Sequence, residues 1–253
     1  MPKAANPPLP QYRDDPEYVF ARTARDEEQY LDAVEQMCST VRHDLGNTVN
    51  SLGVTLQVLK ANFEGYDDAK RLEYIGRALE QVTRQRRLLE SLQQYSRVQV
   101  DGVGQLPVLP FLDAFAEAVR PKLERRRIAF VNKPSVGQAS MVADRMALGR
   151  VLGHIVANSV EALEEEDEDP AVVLTAHRFG GEIAIGITDN GCGIPAKHIR
   201  RVFVPLFTTK EGRQGLGLSV ARFLVHRMDG RMEIGSVPDA GTEVRIWLKA
   251  AKT

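Results

Sequence analysis

A histidine followed at once by an aspartate, with an asparagine four residues on, stands at Arg42-His43-Asp44-Leu45-Gly46-Asn47. An imidazole is a nucleophile near neutral pH. The carboxylate of Asp44 beside it can orient the ring and accept a proton. At helical spacing Asn47 lies on the same face as His43, where its amide can place a water or a ligand oxygen. By itself the stretch says little, because single histidines are common on helix surfaces and in cores. Its meaning depends on four stretches near the other end of the chain.

The first of these is Leu152-Gly153-His154-Ile155-Val156-Ala157-Asn158-Ser159-Val160-Glu161-Ala162. His154 and Asn158 are one helical turn apart, and the neutral amide oxygen of Asn158 suits a hard Mg²⁺ that keeps its waters and phosphate ligands. The second, Asp189-Asn190-Gly191-Cys192-Gly193-Ile194-Pro195, follows a β-like run. Asp189 can accept from an exocyclic amine, and the glycines let backbone approach a flat ring. The third, Val202-Phe203-Val204-Pro205-Leu206-Phe207-Thr208-Thr209-Lys210, turns abruptly from apolar to polar and ends in a cation. The fourth, Gly212-Arg213-Gln214-Gly215-Leu216-Gly217-Leu218-Ser219, runs glycines into a helix start, where free amides and the helix dipole favour phosphate. Each is weak alone. Four in this order within about 65 residues point to an ATP site.

Two sorts of element must hold these residues. Residues 1–15 are Pro-rich and polar and read as a disordered tail, and a helical pattern begins at about Pro16. Leu31, Val34, Cys38, Val41 and Leu45, then Val49, Leu52, Leu56, Leu59 and Phe63, form a heptad-like stripe with one irregular step. His43 falls off that stripe and is expected to reach solvent. Gly46 beside it weakens the helix by on the order of 1 kcal/mol relative to alanine. A turn at 62–68 leads into a second helix reaching about Val98, with Leu72, Ile75, Leu79, Val82 and Leu89 on one face. An antiparallel hairpin buries one stripe per helix and is poor in isolation, so two copies are expected to pair as a four-helix bundle in a homodimer. Residues 99–105 read as a linker. Beyond it short β-like runs (107–109, 128–131, 171–176, 182–188, 231–234, 242–248) alternate with helices over about 111–124, 145–164 and 216–228, which is an α/β sandwich over 106–253. Glu164-Glu165-Glu166-Asp167-Glu168-Asp169-Pro170 reads as a solvated loop.

Bulk composition excludes several classes. Lys and Arg total 33 against 34 Asp and Glu, so nothing overall points to nucleic acid. Two cysteines, Cys38 and Cys192, fit a reducing compartment better than a disulfide framework. No apolar run approaches the roughly 18–20 residues of a membrane span, and the N-terminus lacks a signal-peptide core, so a cytoplasmic protein without a span of its own is expected.

The second domain resembles the ATP-binding (Bergerat-type) domain of sensor histidine kinases, within the superfamily that includes gyrase, Hsp90 and MutL. Residues 154–162, 189–195, 202–210 and 212–219 correspond to that family's N, G1, F and G2 boxes, and Gly241-Thr242 to its last glycine-threonine element. The hairpin is similar to the family's dimerisation and histidine-phosphotransfer domain. The resemblance implies an α+β protein in which Asn158 binds Mg²⁺ with the nucleotide phosphates and Asp189 reads the adenine amino group. It further implies that Gly191 and Gly193 line the base, that Thr242 backs it, and that 203–215 form a mobile lid bringing Lys210 near the phosphates. Amides at Gly215 and Gly217 would cradle phosphate. His43 would attack the γ-phosphorus with Asp44 as base. The phosphoryl group would then pass to an aspartate on a separate response-regulator receiver domain. Asp44-Leu45-Gly46-Asn47 also resembles phosphatase-competent kinases, in which the Asn aims a water at the regulator's phosphoaspartate. Input is expected through the N-terminal extension or an upstream sensor or scaffold protein.

The chain departs from the family pattern at three places. His154 replaces the first N-box Asn, Thr48 stands where a Pro often follows the acceptor, and Val204 stands where an acidic residue is frequent. His154 keeps open a phosphotransfer and docking module with a degenerate ATP site. A serine-directed protein kinase of the same superfamily is the other alternative, and the hairpin with its histidine counts against it.

Overall fold

Two kinds of hydrophobic spacing produce two kinds of structure. In the computed structural model, which describes residues 18–23, 27–96, 100, 102–163, 169–210, 213 and 215–252, the elements alternate from the linker onward. In order they are β1 (Val19–Arg22), α1 (Glu27–Ala61), α2 (Asp68–Ser96), β2 (Gly104–Pro107) and α3 (Val108–Glu124). Then come β3 (Ala129–Ser135), β4 (Ser140–Ala143), α4 (Arg145–Ala162), β5 (Ala171–Phe179) and β6 (Glu182–Asp189). A short turn α5 (Ala196–Ile199), α6 (Gly217–Arg227), β7 (Arg231–Val237) and β8 (Gly241–Lys249) complete the chain. The tail at 1–15, the acidic residues 164–168, Gly212 and part of the linker lie outside the described residues.

The chain divides into two compact units. One holds β1 and the elements from β2 onward; the other holds the hairpin together with Val204–Leu216. In the first, six strands lie in the order β1-β7-β8-β6-β5-β3, with β3 parallel to β5 and the other neighbours antiparallel. β2 and β4 form a separate ribbon. The sandwich core comes from alternate strand residues such as Leu174, Ile185, Ile187 and Ile246 with Leu148, Leu152, Ile155 and Leu224 of the helices, all fully buried. Asp144 fixes the start of α4: its carboxylate accepts from the amides of Met146 and Ala147 at 2.8 and 2.9 Å and from Gly102 at 2.9 Å. Such a cap contributes about 1 kcal/mol.

The structure changes two sequence expectations here. The helical pattern expected from about Pro16 gives way to β1, which extends the sheet beside β7. Thr23 secures its end: its hydroxyl accepts from the Met232 amide at 2.9 Å and donates to the Met232 carbonyl. Arg22 pairs with Glu233 at 3.3 Å. The run at 107–109 is also corrected, because the strand ends at Pro107 and Val108 opens α3. Pro110 is tolerated there, since first-turn amides have no partner within the helix.

The hairpin turn matches its sequence signal. Asp67 caps α2 by accepting from the Lys70 amide at 2.8 Å, and the Gly65 amide closes on the Asn62 carbonyl at 3.0 Å. Arg71 donates to the Phe63 carbonyl and Gln81 to the Ser51 hydroxyl, which joins the helices antiparallel. Leu59 and Ala78 are buried between them. The apolar face read from α2 is turned elsewhere: Leu72, Ile75, Leu79 and Val82 are exposed, as are Val49 and Leu56 of α1 and Phe63 of the turn.

Candidate functional site

Most of the residues expected at an ATP site converge in the first unit through α4 and the two central strands. Asp189 ends β6 opposite Thr242 of β8, and both are buried. The Ser159 hydroxyl donates to Asp189 Oδ2 at 2.7 Å, and the Gly191 amide donates to Oδ1 at 3.2 Å. Charge-strengthened bonds of this kind hold a carboxylate in one orientation. Thr242 Oγ1 lies 2.9 Å from the Ser236 hydroxyl, which donates to the Gly241 carbonyl and accepts from the Ile194 amide at 2.8 Å. Four buried polar side chains thus line one end of the sheet. Ser159 and Ser236 escaped the sequence reading. The position of Ser159 directly after Asn158 was the available signal for one; Ser236 had none, since only strand register puts it across from Thr242.

The glycines of 189–195 serve the chain's own packing. A side chain at Gly191 would come within 2.4 Å of the Ala162 carbonyl oxygen. One at Gly193, whose φ is +65°, would come within 2.1 Å of the Val237 carbonyl oxygen. Asn190 is structural too: its Oδ1 accepts from the Ala171 amide and its Nδ2 donates to the Asp169 carbonyl. The loop is therefore clamped between the end of α4 and the β7–β8 turn, which fixes where Asp189 points.

Gly217 opens α6 beside the half-buried side of α4. The space a Cβ would fill there lies 3.6 Å from Asn158 Oδ1 and 3.7 Å from His154 Nδ1. His154 and Asn158 are half-buried, and their side chains make no hydrogen bond to another described residue. Burial, with the nearby Arg150 guanidinium second, lowers the His154 pKa from its ordinary value, so the imidazole is neutral at physiological pH. An imidazole nitrogen and a side-chain amide beside the N-terminus of α6 could hold a cation with its phosphate ligands. No cluster of three His, Cys, Asp or Glu occurs among the described residues, so phosphate and water would have to complete such a shell.

The family model for histidine kinase-, DNA gyrase B- and HSP90-like ATPases matches residues 143–252. The chain is also related to sensor histidine kinases along most of its length. It is 25% identical to the signal transduction histidine-protein kinase AtoS of Escherichia coli (strain K12) over 218 residues, 86% of this chain and 35% of AtoS. It is 26% identical to the alginate biosynthesis sensor protein KinB of Pseudomonas aeruginosa, covering 81% of this chain and 35% of KinB. The chain thus spans about a third of the length of these relatives. Among solved structures, histidine kinase ThkA in complex with its response regulator TrrA shares the fold. The TM-score is 0.58 at 19% identity, over 89% of this chain and 64% of that one. The α+β class with an ATPase domain of this type agrees with the sequence reading.

Of the expected site residues, the ATPase domain brings together Asn158, Asp189, Gly191, Gly193, Gly217 and Thr242. Lys210 and Gly215 belong to the second unit. There the Lys210 amide donates to the Thr208 hydroxyl at 3.1 Å. Gly215, with φ +64°, has no room for a Cβ against the Phe207 backbone. In the hairpin His43 and Asn47 are exposed, and Asn47 Nδ2 lies 3.2 Å from His43 Nδ1 and 3.3 Å from Nε2. The Asp44 side chain lies outside the described residues. Among those residues, no helix is long and apolar enough to cross a membrane.

Proposed function

We propose that the chain is a sensor histidine kinase that transfers the γ-phosphoryl group of ATP to His43 and then to an aspartate of a separate response regulator. One observation carries this reading: an ATPase domain with a buried, doubly hydrogen-bonded Asp189 shares a chain with a helix that exposes His43. Asp189 accepts from the adenine amine, with Gly191, Gly193 and Thr242 around the base. Asn158 would hold Mg²⁺, which would neutralise phosphate charge, and the amides at Gly215 and Gly217 with Lys210 would hold the phosphates. An unprotonated ring nitrogen of His43 attacks the γ-phosphorus. The bond to the β–γ bridging oxygen breaks, ADP leaves, and Asp44 takes the ring proton. The receiver aspartate next attacks the phosphohistidine, forming an O–P bond as the N–P bond breaks.

Asn47, already against the ring, can position a water for hydrolysis of the regulator's phosphoaspartate, so the kinase is also a phosphatase of its partner. The exposed apolar faces of α1 and α2 support a homodimeric four-helix bundle. The proposed organisation is a phosphotransfer hairpin within 16–98, a linker at 99–105 and the ATPase domain from 106 to 253, in the cytoplasm, with an upstream sensor or scaffold supplying input. Incubation with γ-labelled ATP and Mg²⁺ tests the reading. Acid-labile, alkali-stable label that disappears in His43→Ala is the expected result. Acid-stable label on serine, or phosphate accepted only from a phosphorylated receiver, would overturn it.

A further inference from the structure

The His154 side chain has no hydrogen-bond partner among the described residues, and it sits one turn before Asn158 on the half-buried side of α4. The space left by the absent side chain of Gly217 lies 3.6 Å from Asn158 Oδ1 and 3.7 Å from His154 Nδ1. The Asn158 amide, whose Nδ2 lies 3.8 Å from the same point, and the His154 ring therefore meet at one position at the start of an eleven-residue helix. Beside the Asn158 amide, His154 adds an imidazole nitrogen. Mg²⁺ favours oxygen and keeps its waters, whereas Mn²⁺, Co²⁺ and Zn²⁺ accept imidazole readily. An imidazole nitrogen beside the Asn158 amide would therefore discriminate among divalent cations.

We propose that His154 is a second protein ligand beside Asn158, so that the nucleotide enters this site with an imidazole-accepting divalent cation, Mn²⁺ foremost, in preference to Mg²⁺. The proposal rests on the ATP-site reading above and deepens it by naming the cation class. It involves no covalent step. The imidazole contributes its nitrogen lone pair to the metal, one metal-bound water is released, and the second ring nitrogen keeps its proton.

The test uses the full chain labelled uniformly with ¹⁵N, an unlabelled non-hydrolysable ATP analogue and Mn²⁺. Electron–nuclear double resonance at the Mn²⁺ then reports protein nitrogen bound directly to the metal, since adenine nitrogens are ¹⁴N. The expected result is a strong ¹⁵N coupling in the native chain that is absent in His154→Asn. Mn²⁺ affinity in the ternary complex should fall in that variant by on the order of tenfold or more, the size of effect produced even by an outer partner of a metal ligand, while Mg²⁺ affinity in competition changes less. Nucleotide bound with Mn²⁺ but without ¹⁵N coupling in the native chain would overturn the proposal and leave the ATP site standing. Failure to bind the analogue with either metal would overturn both. The measurement on the native chain needs no variant, so misfolding of His154→Asn would not decide the matter.

Discussion

Leu79→Lys on α2 should break a dimer built on the exposed apolar face of the hairpin. Leu72 and Leu79 keep 67% and 60% of their surface in the single chain. Burying a whole leucine side chain stabilises by about 2 kcal/mol, so covering what Leu79 still exposes contributes on the order of 1 kcal/mol. A two-fold interface presents each residue twice. If the lysine ammonium snorkels to water, only the apolar contribution is lost, about 2 kcal/mol in the dimer, and the dissociation constant rises about 30-fold. If the ammonium is desolvated the loss approaches about 4 kcal/mol and the rise about 1,000-fold. Sedimentation equilibrium over a concentration series measures this directly. Glu80→Lys, next door and exposed, is the control, and far-ultraviolet circular dichroism checks that the helices persist. A Leu79→Lys dissociation constant within about threefold of the native value, or a native chain that stays monomeric at high concentration, would refute the argument that this face is covered by a second copy.

Four other outcomes follow from particular contacts. Asp189→Asn should weaken nucleotide binding by at least about tenfold in calorimetry, because the amide no longer offers two charged acceptors to adenine, Ser159 and Gly191 together. Gly191→Ala forces a Cβ to within 2.4 Å of the Ala162 carbonyl oxygen. Overpacking of that kind costs about 1–3 kcal/mol, so the melting temperature should drop by several degrees. Burial and Arg150 hold the His154 pKa below its ordinary 6.5, so the unfolded chain binds the proton more readily than the folded one. The contribution of His154 to stability is therefore full above pH 6.5 and is lost as the pH drops through the folded pKa; His154→Asn should remove that part of the decline below pH 6.5 in a melting-temperature profile taken without nucleotide. Asn47→Ala should leave His43 phosphorylation intact and slow dephosphorylation of the regulator, which a timed phosphate-release assay would detect.

Much of this protein is written locally. A four-residue spacing on a helix puts Asn47 against His43 and Asn158 beside His154, whatever the rest of the chain does. The runs at 171–176, 182–188, 231–234 and 242–248 carry strand character in their own β-branched residues, and each became a strand extended by one to three residues. The order of the four glycine- and polar-rich stretches likewise pointed to an ATP site before any geometry was known. What the tertiary structure decided are matters of long-range register and of which face meets which. β1 is a strand because β7, more than 200 residues later, offers an open edge and a backbone pair for Thr23. Ser159 and Ser236 join Asp189 and Thr242 only when α4 packs across the sheet and β7 aligns with β8. The glycines of 189–195 look from the sequence like room for a ligand, yet the space they leave is taken by the backbone at Ala162 and Val237. The apolar face of α2 was legible as a stripe, but its exposure was not, because periodicity fixes the direction of side chains about one helix axis and says nothing about which neighbour that direction meets.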